Sequence, residues 1–147
     1  MKLQELSKRT FILFCCFMLL STTAFANDYD ISRTNSYITR TRATIDVLGD
    51  GELSIGFNIS GKGKMDEIGA TTIYLYENNG HTTRIAETFR HTDPGYGYLM
   101  GTDAYYHSGN VSYSGTSGYT YYATVEFWAE NSTGGDSTSY TTLVVTA

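Results

Sequence analysis

The chain has 147 residues and a net charge of −5, with 15 acidic and 10 basic side chains. This length predicts one domain after any targeting segment is set aside. An acidic chain without a cluster of Lys or Arg argues against nucleic acid and anionic membrane surfaces as partners.

The N-terminus has the pattern of a secretory signal. Basic residues precede an uncharged apolar run at 11–20, and Ala24-Phe25-Ala26 provides the small residues that a signal peptidase reads at Ala24 and Ala26. An uncleaved membrane anchor is the alternative, but a bilayer core needs about 20 apolar residues. We therefore predict that residues 1–26 are removed and that the mature chain, without a membrane span, is secreted.

Cleavage changes the chemistry that the chain can offer. It removes both cysteines, three basic residues and one acidic residue, which leaves a net charge of −7. Disulfides, thiolate metal sites and thiol nucleophiles are therefore not expected, and the domain must be stabilised by its core.

Residues 27–41 are polar and aperiodic and predict a leader or linker, followed by a domain over residues 42–147. That domain opens with two alternating runs, which predict half-buried strands. Their apolar members are Ala43, Ile45 and Val47, then Leu53, Ile55, Phe57 and Ile59. Gly49-Asp50-Gly51 between them predicts a tight hairpin turn.

The middle of the chain predicts shorter elements. Gly61-Lys62-Gly63-Lys64 is interpreted as a turn, and residues 77–80 as another. The strand between them places Ile73 and Leu75 on one face and Tyr74 and Tyr76 on the other. A return strand is predicted at 84–89, and then a loop-rich region from Arg90 to Gly118 with short strands at 98–100 and 110–113.

Residues 119–130 predict the longest strand, with Tyr122 and Trp128 on the face opposite the core. A turn at 131–136 and a closing strand at 140–146 follow. Without helical periodicity, short strands and frequent turns indicate an all-β fold. We predict a single immunoglobulin-like or fibronectin-like β-sandwich of about seven antiparallel strands.

A tyrosine corner would support this fold. Tyr121 stands two residues before Ala123, near the start of a long late strand, and would reach back to the preceding loop. Tyr119 and Tyr122 are competing candidates for that role.

Three stretches resemble a group of small exported proteins of Gram-positive bacteria, known only as a domain of unknown function. They are Met65-Asp66-Glu67-Ile68-Gly69-Ala70 followed by Ile73; Tyr113-Ser114-Gly115 with Gly118; and Tyr122-Ala123 with Val125, Phe127, Ala129 and Asn131. The resemblance implies an exported β-sandwich and brings no activity and no site residues.

A looser likeness is to lactococcin-972-type bacteriocins, which are small exported β-sandwiches. Tyr105-Tyr106-His107-Ser108 is similar to a Tyr/His segment of that family, whereas the Gly-x-Trp element near its mature N-terminus is missing here.

Catalytic patterns are sparse. His81, His91 and His107 lack the spacing of metal ligands and are interpreted as solvated loop residues. No Gly-x-Ser-x-Gly elbow occurs. Glu126 and Glu130 share a strand face but lie about 13 Å apart. We expect no catalytic residues, no enzyme activity and no required cofactor.

Calcium is the one metal that the turns could attract. Asp50 lies in the first hairpin turn and Glu52 follows that turn, and Asp136 follows a Gly-Gly pair. Calcium takes six to eight oxygen ligands, and neither turn carries a dense series of them. Turn chemistry alone also accounts for both.

The aromatic residues suggest a binding surface. Tyr74, Tyr76, Tyr122 and Trp128 are predicted away from the core, where flat apolar rings with polar tips suit sugars or protein partners. The alternative is that they only stabilise strands. The sequence thus favours a non-catalytic extracellular binding module for a cell-wall glycan, a polysaccharide or a surface protein, with a bacteriocin-like antagonist as the alternative.

Overall fold

The structure, a computed structural model, describes residues 37–147; the predicted signal with its Ala24–Ala26 cleavage site and most of the leader lie outside the described residues. The described chain is nearly all β, which confirms the predicted class. Its seven strands are β1 (Ile38–Gly49), β2 (Glu52–Asn78), β3 (Thr83–Arg90), β4 (Met100–Ser114), β5 (Thr120–Asn131), β6 (Gly134–Thr141) and β7 (Val145–Thr146).

All seven strands belong to one antiparallel sheet in which β2 is central. The first part of β2 pairs with β1 and β4, and the last part pairs with β3 and β5. Residues 67–69 pair with β4 on one edge and β5 on the other. β1 and β5 therefore follow one another along the same edge of β2, while β6 and β7 pair with β5.

The two halves of the sheet share one core. β1 lies against β5, β6 and β7 without pairing with them. Phe57 from the first half and Phe127 from the second meet edge to face, with ring centroids 6.2 Å apart. The halves therefore pack like the layers of a sandwich, although β2 joins them into one curled sheet.

The alternation of apolar residues explains this core. The inward-facing apolar residues of β2 and β5 are buried, and several have no exposed surface, among them Leu53, Ile55 and Ile59 on β2 and Val125 and Ala129 on β5. Fully burying a Leu, Ile or Val side chain contributes about 1.5–3 kcal/mol to stability. The faces predicted for these two strands are confirmed.

The turn of the first hairpin also matches its prediction, whereas Val47, predicted on the same side as Ala43 and Ile45, is 42% exposed. Gly49 pairs with Glu52, and Asp50 and Gly51 between them have φ values of 52° and 81°. These values are typical of a type I′ turn, which matches the twist of the flanking strands. β1, however, starts at Ile38, a buried residue, so residues 38–41 of the predicted leader are part of a strand.

The Gly-Lys-Gly-Lys segment is not the predicted turn, because β2 continues through it. The register with β4 shifts between Ser60 and Met65, and such irregularities bend a strand and increase its twist. The Lys64 ammonium lies 2.5 Å from Asp103, and this hydrogen bond raises the pKa of Lys64. Both side chains are exposed, so the pair is a weak source of stability.

The predicted loop-rich region contains β4, a continuous strand of 15 residues. The inward-facing positions of β4 include His107 and Gly109. Because neither residue is apolar, the sequence lacks the alternation that would predict a strand here. A glycine fits at position 109 because a Cβ there would lie only 3.0 Å from the Phe57 ring. The strand predicted at 98–100 is instead a 3₁₀ turn at Gly97–Leu99 that leads into β4.

The C-terminal strands differ from the prediction in length. β5 has 12 residues, fewer than β2 and β4, so it is not the longest strand. The predicted strand at 140–146 is divided between β6 and β7. Between them Thr142 leaves the ladder, and its Oγ1 accepts a hydrogen bond of 3.0 Å from the backbone N–H of Ala123.

The tyrosine corner is present at Tyr121. Its hydroxyl oxygen accepts a 2.8 Å hydrogen bond from the backbone N–H of Thr116 and donates to Glu77 Oε2 at 3.4 Å. Glu77 is buried, and its Oε1 accepts a 2.6 Å bond from Arg84 Nε. That hydrogen bond raises the pKa of Arg84. The Tyr121 hydroxyl thus connects the loop N–H of Thr116 to the ion pair of Glu77 and Arg84.

Candidate functional site

The side of β2, β5 and β6 that faces away from the core, which we call the outer aromatic face, carries all four predicted ligand-binding residues. Tyr76 is directly opposite Tyr122, Tyr74 is opposite Thr124, and Trp128 is opposite Gly69. All four aromatic side chains are half-buried. The structure brings the three tyrosines together but places Trp128 separately, because six residues of β5 from Tyr122 to Trp128 span about 20 Å.

Tyr76 and Tyr122 form a stacked cross-strand pair. Their ring centroids are 4.7 Å apart and their planes are inclined by only 8°. A cross-strand aromatic pair contributes about 0.2–1 kcal/mol to a sheet. These two tyrosines therefore have a structural role whether or not they bind a ligand.

Apolar side chains that sequence reasoning missed extend this tyrosine pair. Ile85 on β3 lies opposite Tyr76 and is 51% exposed. Val144 precedes Val145, whose side chain packs against the core. Val144 lies directly before β7 and is 62% exposed. No signal in the sequence pairs these positions, since the register of β3 and the C-terminal segment depends on tertiary structure.

Trp128 lies over the edge strand β6. A Cβ added at Gly135 would be 2.8 Å from Trp128 Cζ2, so the indole occupies the space that a side chain at position 135 would take. The glycine at this position therefore lets the indole approach the backbone of β6 closely.

An open depression of about 380 Å³ adjoins Trp128. Its polar groups come from three strands: Thr71 on β2, Glu126 on β5, and Ser137 and Ser139 on β6. Glu126 is opposite Ser139, and Trp128 is opposite Ser137. The depression combines one aromatic ring with hydroxyl and carboxylate groups, which is a set that can stack on and hydrogen-bond to a polyhydroxylated ligand.

Two of the three histidines are not the solvated loop residues that were predicted. His91 Nδ1 is 3.1 Å from the carbonyl oxygen of Thr71. His107 lies on β4, and its Nε2 donates a 2.7 Å hydrogen bond to the Tyr98 carbonyl, so it anchors the 3₁₀ turn. His81 is exposed in the turn between β2 and β3.

The acidic turns are separate from one another. Asp50 is exposed at the tip of the first hairpin, and Glu52 accepts a 3.2 Å hydrogen bond from Ser114 Oγ. Asp136 Oδ2 accepts a 2.9 Å bond from the backbone N–H of Tyr37. Within residues 37–147, no three His, Cys, Asp or Glu side chains form a group that could hold a metal ion. Calcium binding stays a prediction.

Comparison of the chain with protein-family models, with curated proteins and with solved structures gives no match. In the part of the chain that the structure describes, no helix is long and apolar enough to cross a membrane.

Proposed function

We propose that the protein is a non-catalytic extracellular module that binds a polysaccharide, with the outer aromatic face as its binding surface. Export by the predicted signal and the resemblance to small exported Gram-positive proteins support an extracellular role. A cell-wall glycan is then a natural ligand class.

One observation carries this proposal: Trp128 borders an open depression with hydroxyl and carboxylate groups. The axial C–H groups of a sugar ring stack on an aromatic face, while its hydroxyls exchange hydrogen bonds with Ser, Thr and Glu. Because the depression is open rather than enclosed, it suits the side of a long chain. A small molecule is usually held in a pocket that covers most of its surface.

The tyrosines supply a second contact region along the same strand. Tyr74 and the stacked Tyr76–Tyr122 pair are on the same face as Trp128. Along β5, Tyr74 is level with Thr124, about 13 Å from Trp128, and the stacked pair is about 20 Å from it. An extended polysaccharide that follows β5 reaches both regions. Affinity from two contact regions on one chain exceeds that of either alone.

The single tryptophan provides the measurement. Because Trp128 is the only Trp, its fluorescence reports directly on the proposed site. We expect the purified protein to co-sediment with isolated Gram-positive cell walls or with an insoluble polysaccharide such as cellulose or chitin. A soluble fragment of the retained polysaccharide should shift the emission of Trp128 to the blue.

A matched pair of variants tests the site. Trp128→Ala should weaken retention about tenfold or more, since buried aromatic contacts often contribute 2 kcal/mol or more to binding. Tyr106→Ala, which removes a 68% exposed aromatic residue from β4, should not change it. Equal losses in both variants, or no retention on any wall or polysaccharide, would refute the assignment.

The antagonist alternative predicts a different result. A bacteriocin-like protein inhibits growth of neighbouring Gram-positive strains, and its Tyr105–Ser108 segment, rather than Trp128, would be required. Growth inhibition that survives Trp128→Ala and is lost in Tyr106→Ala would favour that function over the binding module.

A further inference from the structure

A second depression lies on the other half of the sheet. It is on the side of β1, β2 and β4 that faces away from the core, and its volume is about 320 Å³. Gly56 forms its floor because it has no side chain, and Thr44 lies directly across the ladder on β1. Arg42 and Asn58, which also face each other, form the next row of the lining.

Positive charge collects beside this depression in an otherwise acidic protein. Arg40 and Arg42 alternate along β1, so both side chains are on the same face. Neither has an ion-pair partner anywhere in residues 37–147, whereas Lys64 and Arg84 are paired. A third basic residue, Lys62, is two residues after Ser60, the residue opposite Arg40.

The acidic residues that alternation places on this face of β1 and β2, Asp46 and Glu52, are at its other end. Asp46 is four residues beyond Arg42, a separation of about 13 Å along β1. Between them are neutral groups: Thr44 on β1, and Asn110 on β4 opposite Gly56. A ligand that lies along the depression therefore finds guanidinium groups at one end and neutral hydrogen-bonding groups in the middle.

We propose that this depression, which we call the arginine depression, binds a carboxylate or phosphate group carried on a hydroxylated chain. A guanidinium presents a planar set of donors that matches either anion in bidentate geometry. Asn58 and Thr44 can donate to or accept from neighbouring hydroxyls. This site goes beyond the proposed function, because it lies on different strands from Trp128 and selects for charge rather than for a stacking surface.

Two soluble polymers distinguish the sources of the anion. Polygalacturonate supplies carboxylates and poly(glycerol phosphate) supplies phosphates, while amylose is a neutral control. Titration calorimetry at low ionic strength should detect one or both anionic polymers and no binding of amylose through this site. Added salt should weaken the binding because it screens the charges. Absence of binding by both anionic polymers would overturn the proposal.

Two charge-neutralising variants distinguish binding at a defined site from non-specific attraction by the positive charges of the protein. Arg42→Gln should weaken binding about tenfold or more, as expected for loss of a charge-assisted bidentate contact. Arg90→Gln makes the same change in net charge on β3 and should alter binding less than about twofold, because that charge is remote and screened. Equal effects of the two variants would refute a defined site.

A third variant tests the depression itself without a change in charge. Gly56→Val fills the floor of the depression, where its Cβ would lie 3.0 Å from Thr44 Oγ1 and displace that side chain, and should also weaken binding. Thermal unfolding of each variant checks that it is folded. Trp128→Ala should leave this binding intact, so that failure of the arginine depression and failure of the aromatic face are separate results. If Gly56→Val binds as wild type does, the anion does not occupy the depression and the proposal fails.

Discussion

Substitution of Tyr121 by Phe should destabilise the protein through the hydroxyl alone. The ring would keep its place against Gly115, where an added Cβ would lie 2.9 Å from Tyr121 Cζ. The variant leaves the N–H of Thr116 without its 2.8 Å acceptor and removes a 3.4 Å donor from the buried Glu77.

The expected cost can be estimated from these two bonds. A buried polar group left without its partner costs about 1–3 kcal/mol. Glu77 keeps its bond from Arg84, and Thr116 is an exposed residue whose N–H water can reach, so the cost lies in the lower part of this range. We expect the free energy of unfolding to fall by about 1–2 kcal/mol, which lowers the urea midpoint by about 0.5–1 M for a typical denaturant slope of about 2 kcal/mol per M.

Tyr113→Phe is the matched control. Tyr113 is partly buried beside Tyr121, with ring centroids 6.1 Å apart, but its hydroxyl makes no hydrogen bond to any residue from 37 to 147. Its removal should change the unfolding free energy by less than about 0.5 kcal/mol at neutral pH. If the two variants unfold at the same urea concentration, the corner hydroxyl is not a source of stability and the reasoning is wrong.

Three further predictions concern packing and titration. Gly69→Ala should destabilise by about 1–3 kcal/mol, because its Cβ would lie 2.8 Å from Met100 Cα, whereas Gly63→Ala, with open space around it, should be neutral in the same thermal unfolding experiment. Burial, followed by the charge of Glu77, raises the pKa of Tyr113. The unfolded chain therefore loses this proton first, and stability should fall as pH rises above about 10, the ordinary tyrosine pKa. Tyr113→Phe should lessen that fall, and an unchanged pH profile would contradict it. Gly135→Ala should displace the only indole from β6 and shift its emission to the red; an unchanged spectrum would show that the indole does not depend on this glycine.

The sequence predicts those elements whose signals are local. The first hairpin follows from alternation and from Asp50-Gly51, since both are properties of neighbouring residues. Tyr121 was one of three candidates for the corner, and its inward side chain and Gly115 explain why it, rather than Tyr119 or Tyr122, fills the role.

Other features depend on contacts between distant segments. The glycines Gly61 and Gly63 predict a turn, but they lie in a continuous strand in which Gly61 pairs with Ile38 of β1. The sequence did not predict β4 as one long strand because its inward position 109 is a glycine rather than an apolar residue. A side chain there would contact the ring of Phe57, a residue far away in the sequence.

The same limit applies to the candidate sites. The aromatic residues could be assigned to the side away from the core from alternation alone. The stacking of Tyr76 on Tyr122, the separation of Trp128 and the depression over Gly56 all require the register between strands, which no local pattern encodes.

The continuity of β2 has a consequence for how the domain opens. In a protein with two separate sheets, one sheet can detach while the other persists. Here residues 67–69 are bonded on both edges, to β4 and to β5, so neither half can lose its ladder without exposing the other. We expect the amide protons of this short segment to exchange with solvent only through global unfolding. Most contacts also join residues distant in the chain, a topology that folds slowly, so a newly synthesised molecule would pass through an interval in which β2 is accessible to proteases.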